Sequence, residues 1–208
     1  MKNYLKTFVS GILAGMCISI GGAVFLTLES KVLGAVFFMA GLFVVCTFGF
    51  NLFTGKVCYV FENDKQYALN LIPIWLGNLV GSLIISCFIL LSRNGAAIHE
   101  RAVGLCNTKL NDSLVSIFFL AILCNIMIYI AVDGYKNNPH EIGKYLSIFF
   151  GITVFIICGY EHCVANMFYL TVGGAWGAKA VVFLIVNTIG NFAGGVFFPL
   201  LRSYLKKD

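Results

Sequence analysis

Long apolar stretches without charge alternate with short polar segments along the whole chain. The charge-free stretches cover residues 7–28, 32–55, 66–92, 113–132, 145–178 and 180–201, and only Glu161 interrupts the fifth of them. A membrane-spanning helix needs about 20 apolar residues. The pattern therefore predicts an all-α integral membrane protein, with six transmembrane helices in a single domain that covers residues 1–208.

The fifth stretch is too long for one straight helix and too short for two. It contains Gly159, Gly173 and Gly174 as well as the polar pair Glu161 and His162. Non-helical backbone at membrane depth occurs only where it is buried in protein or lines a cavity. We therefore expect one helix here, broken near Gly159.

Basic residues predict the orientation of the chain, because Lys and Arg collect on the cytoplasmic side of membrane proteins. Six spans with an inner N-terminus put nine of the 14 basic residues inside and five outside. The inner ones are Lys2, Lys6, Lys56, Lys65, Lys136, Lys144, Arg202, Lys206 and Lys207, and the outer ones are Lys31, Arg93, Arg101, Lys109 and Lys179. We expect a multi-pass protein of the cell membrane with both termini in the cytoplasm.

Short motifs recur between the two halves of the chain. Residues 13–17 are similar to 120–124, residues 49–50 to 159–160, and residues 77–81 to 190–194, at offsets of 107, 110 and 113. Two halves of three spans each, about 1–95 and 105–208, must lie upside down relative to each other. Inverted repeats of this kind place a permeation site where paired helices break. We expect these breaks at 51–55 and at 159–166, in the second and fifth helices.

Composition narrows the class of protein further. Apolar residues make up 60% of the chain and charged residues only 11%, with a mean hydropathy of +0.92. These values exclude an ordinary soluble enzyme, a disordered tail and a secreted disulfide scaffold. The net charge of +5 is scattered singly, which gives no footprint for nucleic acid. The apolar run after Lys6 is too long for a signal peptide and is interpreted as a retained span.

Cysteines and glycines fit packing roles. The eight cysteines include no CxxC pair and lie mostly in apolar runs, so we interpret them as buried thiols in a reducing setting and expect no metal or cofactor. The glycine pairs 11/15, 77/81 and 190/194 have the spacing that lets helices approach closely, and we assign them to packing.

Polar residues inside the predicted spans are the candidates for function. His162, next to Glu161 at a predicted break, is expected to face the interior and to exchange protons near neutral pH. Thr54 lies in the other break, and Asn125 and Asn166 could bridge broken backbone. Lys109, before the fourth span, is by itself an interfacial lysine whose stem lies along the apolar layer.

Taken together, these residues resemble the formate/nitrite transporter family over nearly the whole chain. Residues 11–22 (GILAGMCISIGG) resemble its first-span glycine motif, residues 48–55 (FGFNLFTG) its broken second span, and residues 159–168 (GYEHCVANMF) its fifth-span motif. The spacing of Lys109 and Asn125 is similar to that of its vestibule lysine and fourth-span asparagine. Lys56 departs from the pattern, because many members have an uncharged residue there.

The resemblance implies an aquaporin-like topology and a homopentamer in which each protomer has its own pore. It implies a central histidine at His162, a threonine at Thr54 and an anion-attracting lysine at Lys109. It also implies two hydrophobic constrictions, with Leu42 and Phe155 on the inner side and Leu52, Phe53 and Ile128 on the outer side. The short chain and its free cysteines are most similar to the hydrosulfide channels of anaerobic bacteria.

The function expected from this is a channel for small monovalent weak-acid anions, hydrosulfide first and formate or nitrite next, with a proton step at His162. A proton-coupled anion carrier on the same scaffold is an alternative that the sequence does not separate from a channel. A neutral-solute channel of the aquaporin type is another, but its two Asn-Pro-Ala motifs are missing: the one Asn-Pro is Asn138-Pro139, in a charged loop. No nucleophile–base pair or ligand cluster supports an enzyme.

Overall fold

The computed structural model describes residues 2–205, which form nine α-helices and one 3-10 helix. The α-helices are α1 (Lys2–Thr27), α2 (Lys31–Phe48), α3 (Phe53–Lys56), α4 (Lys65–Leu90), α5 (Gly95–Leu110), α6 (Leu114–Asn137), α7 (Glu141–Ile157), α8 (Cys163–Val172) and α9 (Ala178–Leu205), and the 3-10 helix is Val57–Glu62. Lys206 and Lys207, which entered the orientation count, lie outside the described residues.

Five helices, α1, α2, α4, α6 and α9, are long and apolar enough to cross a membrane. They correspond to five of the six stretches found in the sequence. The fifth stretch, 145–178, is divided between α7 and the shorter α8.

Two of the predicted stretches are interrupted, and the interruptions lie slightly earlier than expected. The second stretch stops being helical at residues 49–52 and resumes at Phe53, and the fifth does so at residues 158–162 and resumes at Cys163. Gly49 and Gly159 have φ angles of 68° and 71°, a left-handed conformation that glycine adopts without the steric cost of a Cβ atom. Residues 163–166, expected in the break, are the first turn of α8.

Helix α5 was not expected from the sequence. Residues 93–112 were interpreted as an outer connection, because they carry several charges and polar side chains. The structure has a helix of 16 residues there, with Ile98, Ala102 and Cys106 buried on one face. A spacing of four residues between these three is the signature of a helix packed on one side.

Close helix contacts confirm the packing role of the glycine pairs. A Cβ atom built on Gly15 or Gly81 would lie under 3.0 Å from the backbone of the facing helix, and the same holds for Gly11, Gly77, Gly190 and Gly194. Helix α1 therefore packs directly on α4, and α6 on α9. Gly81 faces Ile12 and Gly194 faces Ile122, so the first helices of the two halves correspond at an offset of 110. The offset of 107 assigned from residues 13–17 was wrong by about one helical turn.

The two halves of the chain interlock. Helix α8, from the second half, packs on α4 of the first half, and the 3-10 helix, from the first half, packs on α9 of the second. Helix α2 also packs on α7. Each short helix that follows an interruption is thus held by the other half, and the interruptions meet inside the molecule.

Candidate functional site

Thr54 and His162 meet where the two interruptions come together. Thr54 Oγ1 lies 2.9 Å from His162 Nε2, although the residues are 108 positions apart in the chain. Both side chains are buried, at 0% and 2% exposure. The contact between this hydroxyl and this imidazole joins the two halves of the chain.

His162 is held in place because it caps helix α8. Its Nδ1 accepts a hydrogen bond from the backbone N–H of Ala165, at 3.1 Å, as a Ser or Asp oxygen does at many helix N-termini. A ring nitrogen that accepts from an N–H carries no proton of its own. The ring is therefore neutral in this arrangement, with its proton on Nε2, so that Nε2–H donates to Thr54 Oγ1.

Phe155 covers one face of the His162 ring. The two ring centroids lie 5.7 Å apart with an interplanar angle of 22°. Phe38 of α2 meets Phe155 edge to face, with centroids 5.9 Å apart. The sequence had not singled out Phe38, because α2 is apolar on all sides and its pattern does not mark the face turned to the centre.

Asn125 holds the chain at Thr54. Its Nδ2 donates to the Thr54 carbonyl at 3.0 Å, as expected for an amide that bridges broken backbone. The close approach is possible because residue 195 is glycine: a Cβ atom there would collide with Asn125 Nδ2. The Oδ1 of Asn125 is buried without a protein partner, and so is an acceptor available to a bound molecule.

Two further asparagines, Asn78 and Asn191, clamp the interruptions with matching sets of hydrogen bonds. Asn78 Oδ1 accepts from Phe53 N–H, and its Nδ2 donates to the carbonyls of Gly11 and Asn51. Asn191 makes the same three kinds of hydrogen bond, and each of its partners lies 110 residues after the corresponding partner of Asn78. These partners are the N–H of Cys163 and the carbonyls of Ala121 and Glu161. The sequence offered a signal for both, the repeated Gly-Asn at 77–78 and 190–191, which had been noted only as part of the repeat.

Lys109 forms a buried ion pair and does not extend its stem along the apolar layer. Its Nζ lies 2.7 Å from Glu161 Oε2, and the two side chains are 12% and 5% exposed. Asn166 Nδ2 donates to the same carboxylate oxygen at 2.7 Å and to Asn187 Oδ1 at 2.8 Å. Each charge compensates the other, which offsets part of the cost of burying them. Asn166 thus supports the Glu161 carboxylate and does not bridge backbone.

Glu161 and His162, adjacent in sequence, have separate partners. The carboxylate faces Lys109 and Asn166, whereas the imidazole faces Thr54 and Phe155. The polar interior therefore has two parts, an ion pair and a neutral Thr54–His162 contact.

A cavity of about 860 Å³, the lysine-lined vestibule, leads from one end of the molecule towards this centre. Lys56, Lys136 and Lys144 lie along it, and its lining also includes the buried apolar residues Leu42, Val45 and Leu52. Leu42 and Leu52 thus line the same cavity, although the resemblance implies that they belong to two different constrictions. The left-handed turn at Gly49 ends α2 and returns the chain, so that Leu52 reaches the cavity that Leu42 lines.

The other expected constriction residues are buried near these two centres. Phe155 is outside the vestibule lining, and its ring stacks on His162 and meets Phe38 edge to face. The expected pairing of Phe155 with Leu42 stays a prediction. Phe53 is 6% exposed and starts α3, immediately before Thr54. Ile128 is 1% exposed and lies on α6 between Asn125 and the vestibule residue Val132.

Among residues 2–205, no three or more His, Cys, Asp or Glu side chains come together as a set of ligands for a metal ion. The eight cysteines are free thiols.

Comparison with known sequences gives a consistent result. A family profile described as "Formate/nitrite transporter" matches residues 1–205. The "Probable formate transporter" of Methanothermobacter thermautotrophicus is 31% identical, over 97% of this chain and 90% of that protein. The "Formate channel FocA" of Haemophilus influenzae is 29% identical, over 83% of this chain and 68% of that protein.

Comparison with solved structures agrees. An "FNT family ion channel" superposes with a TM-score of 0.85 and 26% identity, over 100% of this chain and 92% of the other. A structure described as "Pentameric formate channel with formate bound" superposes with a TM-score of 0.83 and 25% identity, over 98% and 97% of the two chains. With its long apolar helices, this is a multi-pass membrane protein with the fold of those channels. The chain belongs to the formate/nitrite transporter family.

Proposed function

We propose that the protein is a membrane channel for small monovalent weak-acid anions. The observation that carries this proposal is the buried Thr54–His162 contact, where the two helix interruptions meet next to the apolar residues of the constriction. In this proposal Leu42 and Leu52, which line the lysine-lined vestibule, form the apolar constriction between the vestibule and this contact. A permeant has to leave water at the leucines and finds hydrogen-bonding groups again at the centre.

The apolar constriction sets the chemical condition for passage. Moving a small ion out of water costs on the order of 20 kcal/mol in the idealised case, and still several kcal/mol after relaxation. Addition of a proton turns the anion into a neutral acid and removes most of this cost. The permeant therefore crosses the leucines as the neutral acid and ionises again beyond them, and the net movement is electroneutral.

The geometry of His162 favours protonation of the anion by water, and not by a His162 ring that is already protonated. Protonation of Nδ1 would break its hydrogen bond with Ala165 N–H and uncap helix α8. The ring can instead offer Nε2–H, and Thr54 its hydroxyl, to an anion at the centre. The N-terminus of α8, whose helix dipole favours negative charge, lies at the same place. Asn125 Oδ1, which is buried without a protein partner, is the proposed acceptor of a hydrogen bond from the neutral acid.

Substrate choice follows from acidity and from the relatives. Hydrosulfide fits the mechanism best, because its conjugate acid has a pKa near neutrality and takes up a proton readily. Formate and nitrite are weaker bases, but relatives named as formate channels and transporters support formate as a permeant. The proposal therefore covers hydrosulfide, formate and nitrite.

Lys109 was expected to draw anions into an outer vestibule, and this stays a prediction. Its contact with Glu161 weakens the attraction for an anion. The two charges lie 2.7 Å apart, so their electric fields largely cancel at the position of a more distant anion. We assign Lys109, Glu161 and Asn166 to holding the chain just before His162. Asn187 and Asn191 support this role, since both donate to the Glu161 carbonyl.

The proposed assembly is a homopentamer in the cytoplasmic membrane, with one pore in each protomer. Each protomer would have six spans in two inverted repeats, in which α2 with α3 and α7 with α8 each count as one broken span. The matching clamps of Asn78 and Asn191 support the repeat. The excess of basic residues in the inner segments supports cytoplasmic termini, and in this proposal the lysine-lined vestibule opens at the cytoplasmic end.

Anion flux into proteoliposomes tests the proposal. The purified protein is expected to pass hydrosulfide and formate faster than chloride, with flux rising as the pH falls because more neutral acid forms. His162→Ala and Thr54→Val each remove a hydrogen bond worth about 1.5–3 kcal/mol with a charged partner, a loss of roughly ten- to hundredfold in flux. His140→Ala and Thr47→Val, at exposed positions, are the controls.

The proton step fails if His162→Ala keeps the flux and the pH dependence of the parent. Saturation with counterflow would instead favour the proton-coupled carrier on the same scaffold.

A further inference from the structure

Lys56 is a basic side chain in the lysine-lined vestibule, close to the centre of the molecule. It is the last residue of α3 and follows Thr54 by two positions. It is half-buried and contributes to the vestibule lining together with Gly55 and Leu52. Its backbone is fixed, because the Tyr67 hydroxyl donates a hydrogen bond of 2.9 Å to the Lys56 carbonyl. The ammonium group is thus carried to the deep part of the vestibule by a held segment.

The charged groups around the vestibule leave Lys56 uncompensated. Lys144 of α7 is paired with Glu141. Lys136 of α6 lies over the Tyr59 ring, with Nζ 4.8 Å from the centroid. Glu62 belongs to the vestibule but is exposed. Within residues 2–205, the ion pairs at 4.0 Å or less involve Arg101, Lys109, Lys144 and Arg202, and not Lys56.

The contrast with Lys109 indicates where an anion finds a free positive charge. Lys109 is neutralised by Glu161 at 2.7 Å, whereas Lys56 and Lys136 face an open cavity. The vestibule lining has three lysines against Glu62 and Glu141. A cleft with an excess of positive charge between low-dielectric walls concentrates anions and speeds their entry. The vestibule walls include Val45, Val132 and Tyr135, which gives the field low-dielectric surroundings.

We propose that Lys56 forms a binding site for small monovalent anions at the deep end of the lysine-lined vestibule, in front of the Leu42–Leu52 constriction, with Lys136 adding to the attraction. The inference rests on the proposed anion flux and makes Lys56 an anion-attracting lysine of this chain. An anion held there waits next to the constriction, where it is neutralised before it crosses. Entry from the vestibule end then depends on salt, because dissolved ions screen the lysine.

The test compares formate flux in proteoliposomes at about 0.01 M and about 0.3 M ionic strength, where screening is weak and strong. Lys56→Gln and Lys56→Met remove the charge, and Lys56→Arg keeps it. Lys65→Gln removes an exposed lysine that does not line the vestibule and serves as the matched control. Two neutral variants are used so that a folding defect in one does not decide the result.

We expect the neutral variants to lose about three- to tenfold of the initial flux at low salt, with a higher half-saturating formate concentration, and to differ little from the parent at high salt. Lys56→Arg and Lys65→Gln are expected to match the parent. The inference is overturned if a neutral variant keeps the parent's flux and salt dependence, or if Lys56→Arg loses as much as Lys56→Gln. A parent without flux above empty vesicles overturns the proposed function itself.

Discussion

At the scale of single residues, the centre of the molecule separates a neutral polar contact from a buried ion pair. His162 is tied by Nδ1 to its own helix and by Nε2 to Thr54, so both ring nitrogens are occupied by uncharged partners. The charges of Lys109 and Glu161 are kept one residue away and compensate each other. This division leaves the site of passage free of a fixed counter-ion that would trap an anion.

The ion pair gives a prediction about stability. Glu161→Gln leaves the Lys109 ammonium buried with no carboxylate, and loss of one partner of a buried pair typically costs about 3–5 kcal/mol. We expect a clear fall in the thermal unfolding temperature of the detergent-solubilised protein. The double variant Glu161→Gln with Lys109→Met removes both charges and is expected to recover most of the loss. A single variant as stable as the parent would show that the pair does not hold this region.

At the scale of elements, the two interruptions have the same backbone arrangement but end in different side chains. Each has a left-handed glycine at or next to its start, Gly49 or Gly159, and ends at the N-cap position of the next helix, Leu52 or His162. Leu52 and His162 stand 110 residues apart, at equivalent positions. One repeat therefore supplies an apolar residue to the vestibule lining, and the other supplies a hydrogen-bonding ring to the centre.

The asparagine clamps give a prediction about these elements. Asn191→Ala leaves Cys163 N–H and two carbonyls in the interior without a side-chain partner, at about 1–3 kcal/mol for each unsatisfied group. The same reasoning applies to Asn78→Ala. We expect a lower unfolding temperature in detergent and a lower formate flux. Asn107→Ala, at an exposed position on α5, is expected to leave both unchanged. Full flux in Asn191→Ala would mean that α8 keeps its place without the clamp.

Sequence patterns predict the long helices well because each is a continuous apolar run. They predict less of the centre, because the distance between Thr54 and His162 depends on how the halves interlock. The partners of Lys109 show the same limit: its neighbours in sequence gave no sign of Glu161, 52 residues away. Helix α5 was missed because its buried stripe is narrow and its other faces are polar.

At the scale of the whole molecule, the two halves form one interlocked unit with a largely apolar exterior. Large apolar side chains such as Phe37, Phe88 and Phe119 are more than half exposed, as expected where a chain meets lipid or neighbouring protomers. The polar groups are turned inward, around Thr54 and His162 and along the lysine-lined vestibule. This arrangement is that of a protein built to pass a small polar molecule along its own interior.

Anion uptake and osmotic water flow, measured in the same proteoliposomes, test the proposed channel most directly. We expect formate or hydrosulfide to enter faster than in empty vesicles, together with protons and without net current, while water flow barely changes. Rapid water flow with no anion uptake would contradict the proposal and favour a neutral-solute channel.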